Sequence, residues 1–285
     1  HAWIQKGAAG LNPKRATSRQ WNSIPEPQKQ LVIEIALENP ALSPRELSLK
    51  ITDEQKIFIS ESSVYRILKA KGLITTPAHI LLSASNEFNQ KTHFVHELWQ
   101  TDFTYFKILG WGWYYLSTIL DDHSRYIIHW ELCKTMTAAD VERSVEKALV
   151  LAGLKNGQRP KLLSDNGACY ISSELKTYLK SRGVVPVHGR VNHPQTQGKI
   201  ERYHRSMKNI VKLDHYYCPE ELVDALTRFV NYYNNERYHE SLDNVTPADA
   251  YWGRKEYILR RREKIKRRNL NLRRVLYATE KLNII

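Results

Sequence analysis

The order of apolar patterns after residue 97 restricts this chain to few fold classes. Three stretches rich in aromatic and β-branched residues are separated by turn residues, which favours an antiparallel meander; they cover 98–106, 113–120 and 125–133. Helical spacing then alternates with short apolar strands, namely a helix at 137–151, a strand at 161–164, a helix at 172–182, a strand at 184–187, and helices at 197–213 and 219–234. This order predicts an α/β fold in which helices cover both faces of a mixed sheet.

The region before the sheet pattern contains helix signals. A short helix is expected over 27–38, and a capping box from Ser43 to Glu46 begins a second one. A third helix starts at Ser60 and carries Arg66 and Lys69. Two helices joined by a short connection, with basic side chains on the second, predict a helix-turn-helix that reads DNA. A small helical subdomain with a solvated basic face fits the same pattern.

The chain is basic, with 43 Lys and Arg against 30 Asp and Glu and a net charge of +13 over 285 residues. This charge favours a polyanionic partner, either nucleic acid or an anionic membrane. No apolar stretch approaches the roughly 20 residues that span a bilayer, so we expect no membrane segment. Three scattered cysteines do not form a disulfide framework, which is typical of a reducing, cytosolic protein. Because the chain begins with His1 and not with Met, we expect it to be a fragment or a processed fusion.

Much of the excess positive charge lies near the C-terminus. Residues 252–285 carry 12 basic and 3 acidic groups, whereas the preceding 216–251 is acidic. The predicted phosphate-binding residues of this tail are Arg260, Arg261, Arg262, Lys264, Lys266, Arg267 and Arg268. A solvated helix face is the alternative interpretation of the same charges.

Three carboxylates stand out by their position. Asp102 interrupts the first strand pattern, where a buried charge is costly unless it is paired or binds a cation. Asp165 follows a short strand, at the sheet edge where α/β proteins place functional groups. If these strands are parallel neighbours, two divalent cations roughly 3.5–4 Å apart would relieve the repulsion and activate a water or hydroxyl.

Glu201 is the candidate third ligand, on a helix that can pack across the sheet. Arg205 and Lys208 share its helix face, and Lys199 precedes it, so we expect these three residues to bind DNA phosphates. An ordinary Glu201–Arg205 pair on a solvated helix would leave the same pattern.

Three motifs together resemble the catalytic core of retroviral integrases and bacterial insertion-sequence transposases. They are Thr101-Asp102-Phe103-Thr104, Ser164-Asp165-Asn166-Gly167 and the segment from His193 to Arg202. Thirty-five residues separate Asp165 from Glu201, the family's usual spacing, and Lys208 matches the basic residue seven positions after the Glu. The segment from Tyr232 to Pro247 resembles the region that follows the core in the insertion-sequence branch.

The resemblance implies a ribonuclease H-like fold with a five-stranded sheet whose first three strands are antiparallel. It implies that Asp102, Asp165 and Glu201 bind two Mg²⁺ or Mn²⁺ ions and catalyse DNA hydrolysis followed by strand transfer. The implied partners are double-stranded DNA, as terminal inverted repeats and as target, and further copies of the chain, at least a dimer. The implied location is the nucleoid of the bacterial cytoplasm. His93 and His96 have no following Cys pair, so we expect no structural zinc.

Two other functions fit the same residues. A ribonuclease H-like nuclease would cut without joining, and a non-catalytic DNA-binding regulator would use the basic surfaces alone. The domain prediction is an N-terminal arm at 1–25, an all-α or winged helix-turn-helix domain at 26–75, a linker at 76–96, the catalytic core at 97–215, a helical post-core segment at 216–252 and a basic tail at 253–285.

Overall fold

The computed structural model describes residues 20–74, 92–154, 158–188, 197–211 and 215–282. Most of the predicted arm, most of the predicted linker and residues 193–196 of the third motif therefore lie outside the described residues. The chain forms two compact units, one made of 1–79 with 257–285 and the other of 80–256.

The first unit is a bundle of helices, and its described residues contain no strand, so the all-α form of the predicted helix-turn-helix is the one observed. The N-terminal helices are α1 (Glu26–Glu38), α2 (Pro44–Gln55) and α3 (Glu61–Ala70). The capping box forms as predicted, because Ser43 Oγ accepts from the Glu46 N–H and the Glu46 carboxylate accepts from the Ser43 N–H. Before α3, Ile59 is buried in the bundle core, and its carbonyl accepts a hydrogen bond from Ser48.

The basic segment predicted as a tail is a 28-residue helix, Lys255–Leu282, which is the last helix of the chain and is called α10 here. From residue 257 onward it belongs to the first unit. The Arg262 guanidinium binds the Asp53 carboxylate at 2.6 Å, and Arg273 donates to the Phe58 carbonyl at 2.6 Å. One face of this helix therefore completes the N-terminal bundle.

The second unit contains a five-stranded sheet in the order β3-β2-β1-β4-β5. The strands are β1 (Leu98–Ile108), β2 (Gly112–Asp121), β3 (Ile127–Cys133), β4 (Lys161–Ser164) and β5 (Val185–His188). The first three are antiparallel, and β4 and β5 run parallel to β1. This topology confirms the predicted ribonuclease H-like sheet.

Helices cover both faces of this sheet, as predicted. They are α4 (Ala138–Ala152), α5 (Ala168–Ile171), α6 (Ser173–Ser181), α7 (Gly198–Val211), α8 (Pro219–Asn235) and α9 (Pro247–Tyr251). On one face α7 and α8 bury Tyr203 and Phe229 against Leu116 of β2. On the other face α4 and α6 pack against Trp99 and Ile119. No helix in the described ranges is long and apolar enough to cross a membrane.

Helix α7 is attached to the sheet by a buried polar cluster around Asp122. The Lys199 ammonium binds the Asp122 carboxylate at 2.5 Å, and Gln100 of β1 donates to the same carboxylate at 2.7 Å. The other end of the Gln100 amide accepts from the Ile200 N–H at 3.1 Å. These bonds fix the first turn of α7 over the middle of the sheet. The adjacent Asp121 accepts hydrogen bonds from Ser124 within the same turn, whereas the partners of Asp122 are distant in sequence.

A second polar attachment joins α8 to the edge strand β3. Asn234 is buried, and its side-chain amide exchanges two hydrogen bonds with Ile127: the Ile127 N–H donates at 2.9 Å and Asn234 Nδ2 donates to the Ile127 carbonyl at 3.0 Å. The amide thus satisfies both backbone polar groups of Ile127 at this edge of the sheet.

We predict that Asn234→Ala lowers the free energy of unfolding by about 2 kcal/mol, because it leaves buried backbone groups of Ile127 without partners. Urea denaturation followed by circular dichroism measures the change. Asn235→Ala, at the exposed adjacent position, is the matched control and should have little effect. Equal effects of the two substitutions would contradict this role for Asn234.

We predict that Asp122→Asn lowers the free energy of unfolding by about 3 kcal/mol, because Lys199, whose side chain is only 21% exposed, loses its counter-charge. The control is Asp243→Asn, which removes one charge from the exposed Lys255–Asp243 pair and should cost less than about 1 kcal/mol. Thermal and urea denaturation measure the loss of unfolding free energy in both variants. A destabilisation in Asp122→Asn no larger than in the control would show that the buried pair does not hold α7.

Candidate active site

Parallel pairing of β1 with β4 brings the first two predicted carboxylates to neighbouring positions. Gln100 is aligned with Leu163, and Asp102 and Asp165 each stand two residues further along. Aligned residues of parallel neighbours point to the same face, so both carboxylates lie at the carboxyl end of β4. Burial, and after it the charge of Asp102, holds the pKa of Tyr170 well above its usual value. Burial followed by the charges of Asp165 and Asp102 also raises the pKa of the Cys169 thiol, so α5 lies beside both carboxylates.

The Asp-Asn-Gly turn after β4 holds Asp165 in place. Its Oδ1 accepts a hydrogen bond from the Gly167 N–H at 2.9 Å. A Cβ at Gly167 would lie only 3.0 Å from that oxygen, so a larger residue would push the carboxylate aside. The glycine therefore has a direct role in the position of Asp165, and the Asp165 side chain remains open to solvent.

Glu201 reaches the same part of the sheet through the attachment of α7. Ile200 is bonded to Gln100, and His204 Nδ1 lies 3.4 Å from an Asp102 carboxylate oxygen. Glu201 lies between these two contacts, in the first turn of the helix, and is exposed. The helix that carries the third carboxylate is thus fixed to the strand that carries the first. Sequence reasoning missed His204, although its position one helical turn after Glu201 was visible.

The chemistry of these donors suits a hard divalent cation, since all three are carboxylates and Asp165 and Glu201 face solvent. Among the described residues, however, no three His, Cys, Asp or Glu side chains are already arranged to hold a metal ion. The buried Nε2 of His204, beside Asp102, has no hydrogen-bond partner there. The three carboxylates therefore lie at one edge of the sheet, but their side chains are not arranged as a metal-binding cluster.

The predicted DNA-binding residues of α7 occupy different surroundings. Arg205 is exposed one turn after Glu201, and the Lys208 ammonium lies 4.8 Å from the centre of the Tyr105 ring. Lys199 is instead bonded to Asp122, so its observed role is to hold the helix. Arg205 is thus exposed, Lys208 is half-buried against Tyr105, and Lys199 is on the side of α7 that is attached to the sheet.

The predicted DNA-binding residues of the first unit also divide into two groups. Arg66 and Lys69 are exposed on α3, where Arg66 donates to the Ser62 carbonyl. Of the predicted residues on α10, Arg260, Lys264, Lys266, Arg267 and Arg268 are exposed, and the Lys266 ammonium lies 5.6 Å from the Phe58 ring centre. Arg261 and Arg262 instead bind Asp53. Charge alone could not separate the two groups, because both contain the same residue types.

Comparison with known proteins agrees with this geometry. Residues 93–194 match the integrase core domain, residues 182–247 match a second description of that domain, and residues 1–68 match a homeodomain-like domain.

The chain is 28% identical over 141 residues to the putative transposase InsK for insertion sequence element IS150 of Escherichia coli, with 49% of each chain covered. It is 26% identical over 159 residues to the transposase for insertion sequence element IS904 of Lactococcus lactis, covering 54% of this chain and 61% of that one. The match thus spans about half to three-fifths of the length of these relatives.

Solved structures support the fold. The simian T-cell lymphotropic virus intasome, in complex with PP2A regulatory subunit B56 gamma, contains a chain that aligns with a TM-score of 0.51. The two are 17% identical, and the alignment covers 77% of this chain and 74% of the other. The sheet order and the carboxylate edge agree with the two matches, which identify residues 93–247 as similar to the integrase core domain.

Proposed function

We propose that this protein is a DNA transposase that cuts the ends of an insertion sequence and joins their 3′-hydroxyls to target DNA. The observation that carries the proposal is that Asp102 and Asp165 each follow the last aligned pair of β1 and β4 by two residues, beside the helix of Glu201 and within the region that matches the integrase core domain. The insertion-sequence transposases among the relatives support this choice of substrate. A DNA substrate of this kind would place the protein on the nucleoid in the bacterial cytoplasm.

In this proposal Asp102, Asp165 and Glu201 would hold Mg²⁺ or Mn²⁺, as two ions per site. Bound metal would supply the charge that activates the attacking water or hydroxyl and stabilises the leaving oxygen. In the first reaction water attacks a phosphodiester at the element end, which frees a 3′-hydroxyl and leaves a 5′-phosphate on the flanking strand. In the second, this hydroxyl attacks a target phosphodiester in line, forms a new phosphodiester and displaces the target's own 3′-hydroxyl. Positioning and charge stabilisation account for catalysis in such transfers, so the side chains act by holding the reacting groups.

The remaining residues would position DNA on the site. Arg205 and Lys208 follow Glu201 along α7, where a phosphate backbone would cross the carboxylates. Arg66 and Lys69 on α3 would contact the terminal repeats, because the second helix of a helix-turn-helix enters the major groove. Because two element ends must be joined, the active assembly would contain at least two copies of the chain.

We expect Asp165→Asn and Glu201→Gln to abolish both end cutting and strand transfer while DNA binding persists, because each removes a charge that the metal needs. The assay uses duplexes with the terminal repeats that flank the gene, a target plasmid and Mg²⁺. Glu236→Gln, an exposed carboxylate at the end of α8, is the matched control and should retain activity.

The same assay separates the alternative functions. Cutting without joined product in the wild type would identify a nuclease. Activity that survives in Asp165→Asn, or that needs no divalent metal, would refute the roles of the carboxylates. Absence of both reactions alongside tight binding of the repeats would favour a DNA-binding regulator.

We expect the exposed basic residues of α10 to bind DNA phosphates. Arg260, Lys264 and Arg268 are exposed at successive steps of four along the helix. Their joint replacement by Gln should reduce the slope of log affinity against log salt by about 0.9 for each phosphate that the protein no longer neutralises. Fluorescence anisotropy over a series of salt concentrations measures the slope.

The control is Arg262→Gln, because Arg262 is bonded to Asp53 inside the first unit. This change should destabilise that unit and leave the salt slope unchanged. An unchanged slope in the triple variant would show that these charges form only a solvated helix face.

A further inference from the structure

The hairpin of β1 and β2 extends past the part of the sheet that helices cover on both faces. β1 has 11 residues and β2 has 10, whereas β4 has only four, and its pairing with β1 ends at Gln100. Beyond that point one face of the hairpin packs Phe106 and Tyr114 into the core with α7 and α8. The opposite face carries Tyr105, Lys107 and Trp113, and all three are exposed.

The exposed face of the hairpin carries a large aromatic surface in contact with water. Tyr105 is 55% exposed and Trp113 is 50% exposed, and the turn between the strands adds the exposed side chains of Leu109 and Trp111. Contiguous apolar surface of this kind marks interaction sites. The turn is also fixed, because Trp111 Nε1 donates to the Tyr217 carbonyl at 2.9 Å.

Two lysines contact these rings. The Lys107 ammonium lies 5.6 Å from the Trp113 ring centre, and the Lys208 ammonium lies 4.8 Å from that of Tyr105. The two rings meet edge to face with their centres 5.4 Å apart. The result is a row in which a cation, two aromatic rings and a second cation follow one another. Exposed rings beside cations are the combination that binds unpaired nucleic acid, through base stacking and phosphate contacts.

The row leads away from the carboxylate edge. Tyr105 is three residues after Asp102 on β1, which corresponds to about 10 Å along a strand. Lys208 is two turns after Glu201 on α7. Because three is an odd number of residues, Tyr105 lies on the other face of β1 from Asp102. Lys208 connects the two sides, since it belongs to the helix of Glu201 and contacts the Tyr105 ring beyond the end of the β1–β4 pairing. A DNA strand held at the carboxylates would therefore reach this surface by passing Lys208 at the edge of β1 that β4 does not cover.

We propose that Tyr105, Lys107, Trp113 and Lys208 form a binding surface for an unpaired DNA strand next to the cleavage site. The rings stack on bases and the lysines contact phosphates. The inference rests on the proposed function, which supplies the DNA. A second copy of the chain fits less well, because a two-fold contact would place the same patch against itself and bring four ammonium groups together.

The test measures binding of the full-length chain to two labelled DNAs without divalent metal: a blunt duplex and the same duplex with an unpaired overhang. Trp113→Ala should weaken overhang binding about tenfold, as expected when one base can no longer stack, and leave the blunt duplex unaffected. Trp113→Phe should retain most of the overhang affinity, because a ring remains. Phe94→Ala removes an aromatic side chain that is 58% exposed elsewhere in the same unit and should change neither affinity.

Equal affinities of Trp113→Ala and the wild type for the overhang would overturn the proposal, and so would equal reductions in affinity for both DNAs. If Trp113→Ala disrupts a wild-type dimer in sedimentation while overhang affinity is unchanged, the surface joins copies of the chain and the proposal fails. Binding is measured without metal and is therefore independent of strand transfer. If the wild type prefers the overhang DNA but joins no ends in the strand-transfer assay, the proposed function is refuted and the binding surface is not. A wild type that joins ends, with Trp113→Ala binding the overhang equally well, refutes this surface alone.

Discussion

Three pairs of aligned residues between β1 and β4 are the constraint on which the site depends. This short parallel contact sets Asp102 beside Asp165, where two like charges repel each other at the edge of the sheet. The rest of the second unit opposes that repulsion by burying Trp99 and Leu162 just before the charges. The favourable free energy of this apolar packing thus offsets the cost of placing two negative charges at one edge of the sheet.

Polar contacts inside the protein then determine where the third carboxylate lies. Gln100 bonds both to Asp122 and to the backbone of α7, so one side chain connects β1, the end of β2 and the helix of Glu201. Buried amide and ion-pair contacts are directional, whereas apolar packing tolerates small sliding movements. The direction of these bonds determines the position of α7 relative to the strands. The position of α7 in turn determines the distance between Glu201 and the carboxylates of Asp102 and Asp165.

Local patterns made much of this structure predictable. The meander, the capping box at Ser43 and the strand that precedes Asp165 depend on neighbouring residues, and all of them form. The pairing of Asp122 with Lys199 joins residues 77 positions apart, and no local pattern marks it. The basic C-terminal segment shows the same limit. Arg262 and Arg267 have the same chemistry in sequence, yet one is bonded to Asp53 and the other is exposed on the opposite side of its helix.

The first unit is built from two segments that the whole second unit separates along the chain. Its α1, α2 and α3 leave the ribosome early, but the helix that supplies Arg262 and Arg273 is synthesised only after the sheet is complete. Domains generally fold as their residues emerge, so the carboxylate-bearing unit can form before the helix-turn-helix bundle is closed. A polypeptide released before residue 257 would contain the complete sheet, with its carboxylates, and an unfinished helical bundle. The order of synthesis therefore makes completion of the helical bundle depend on translation beyond the sheet-containing unit.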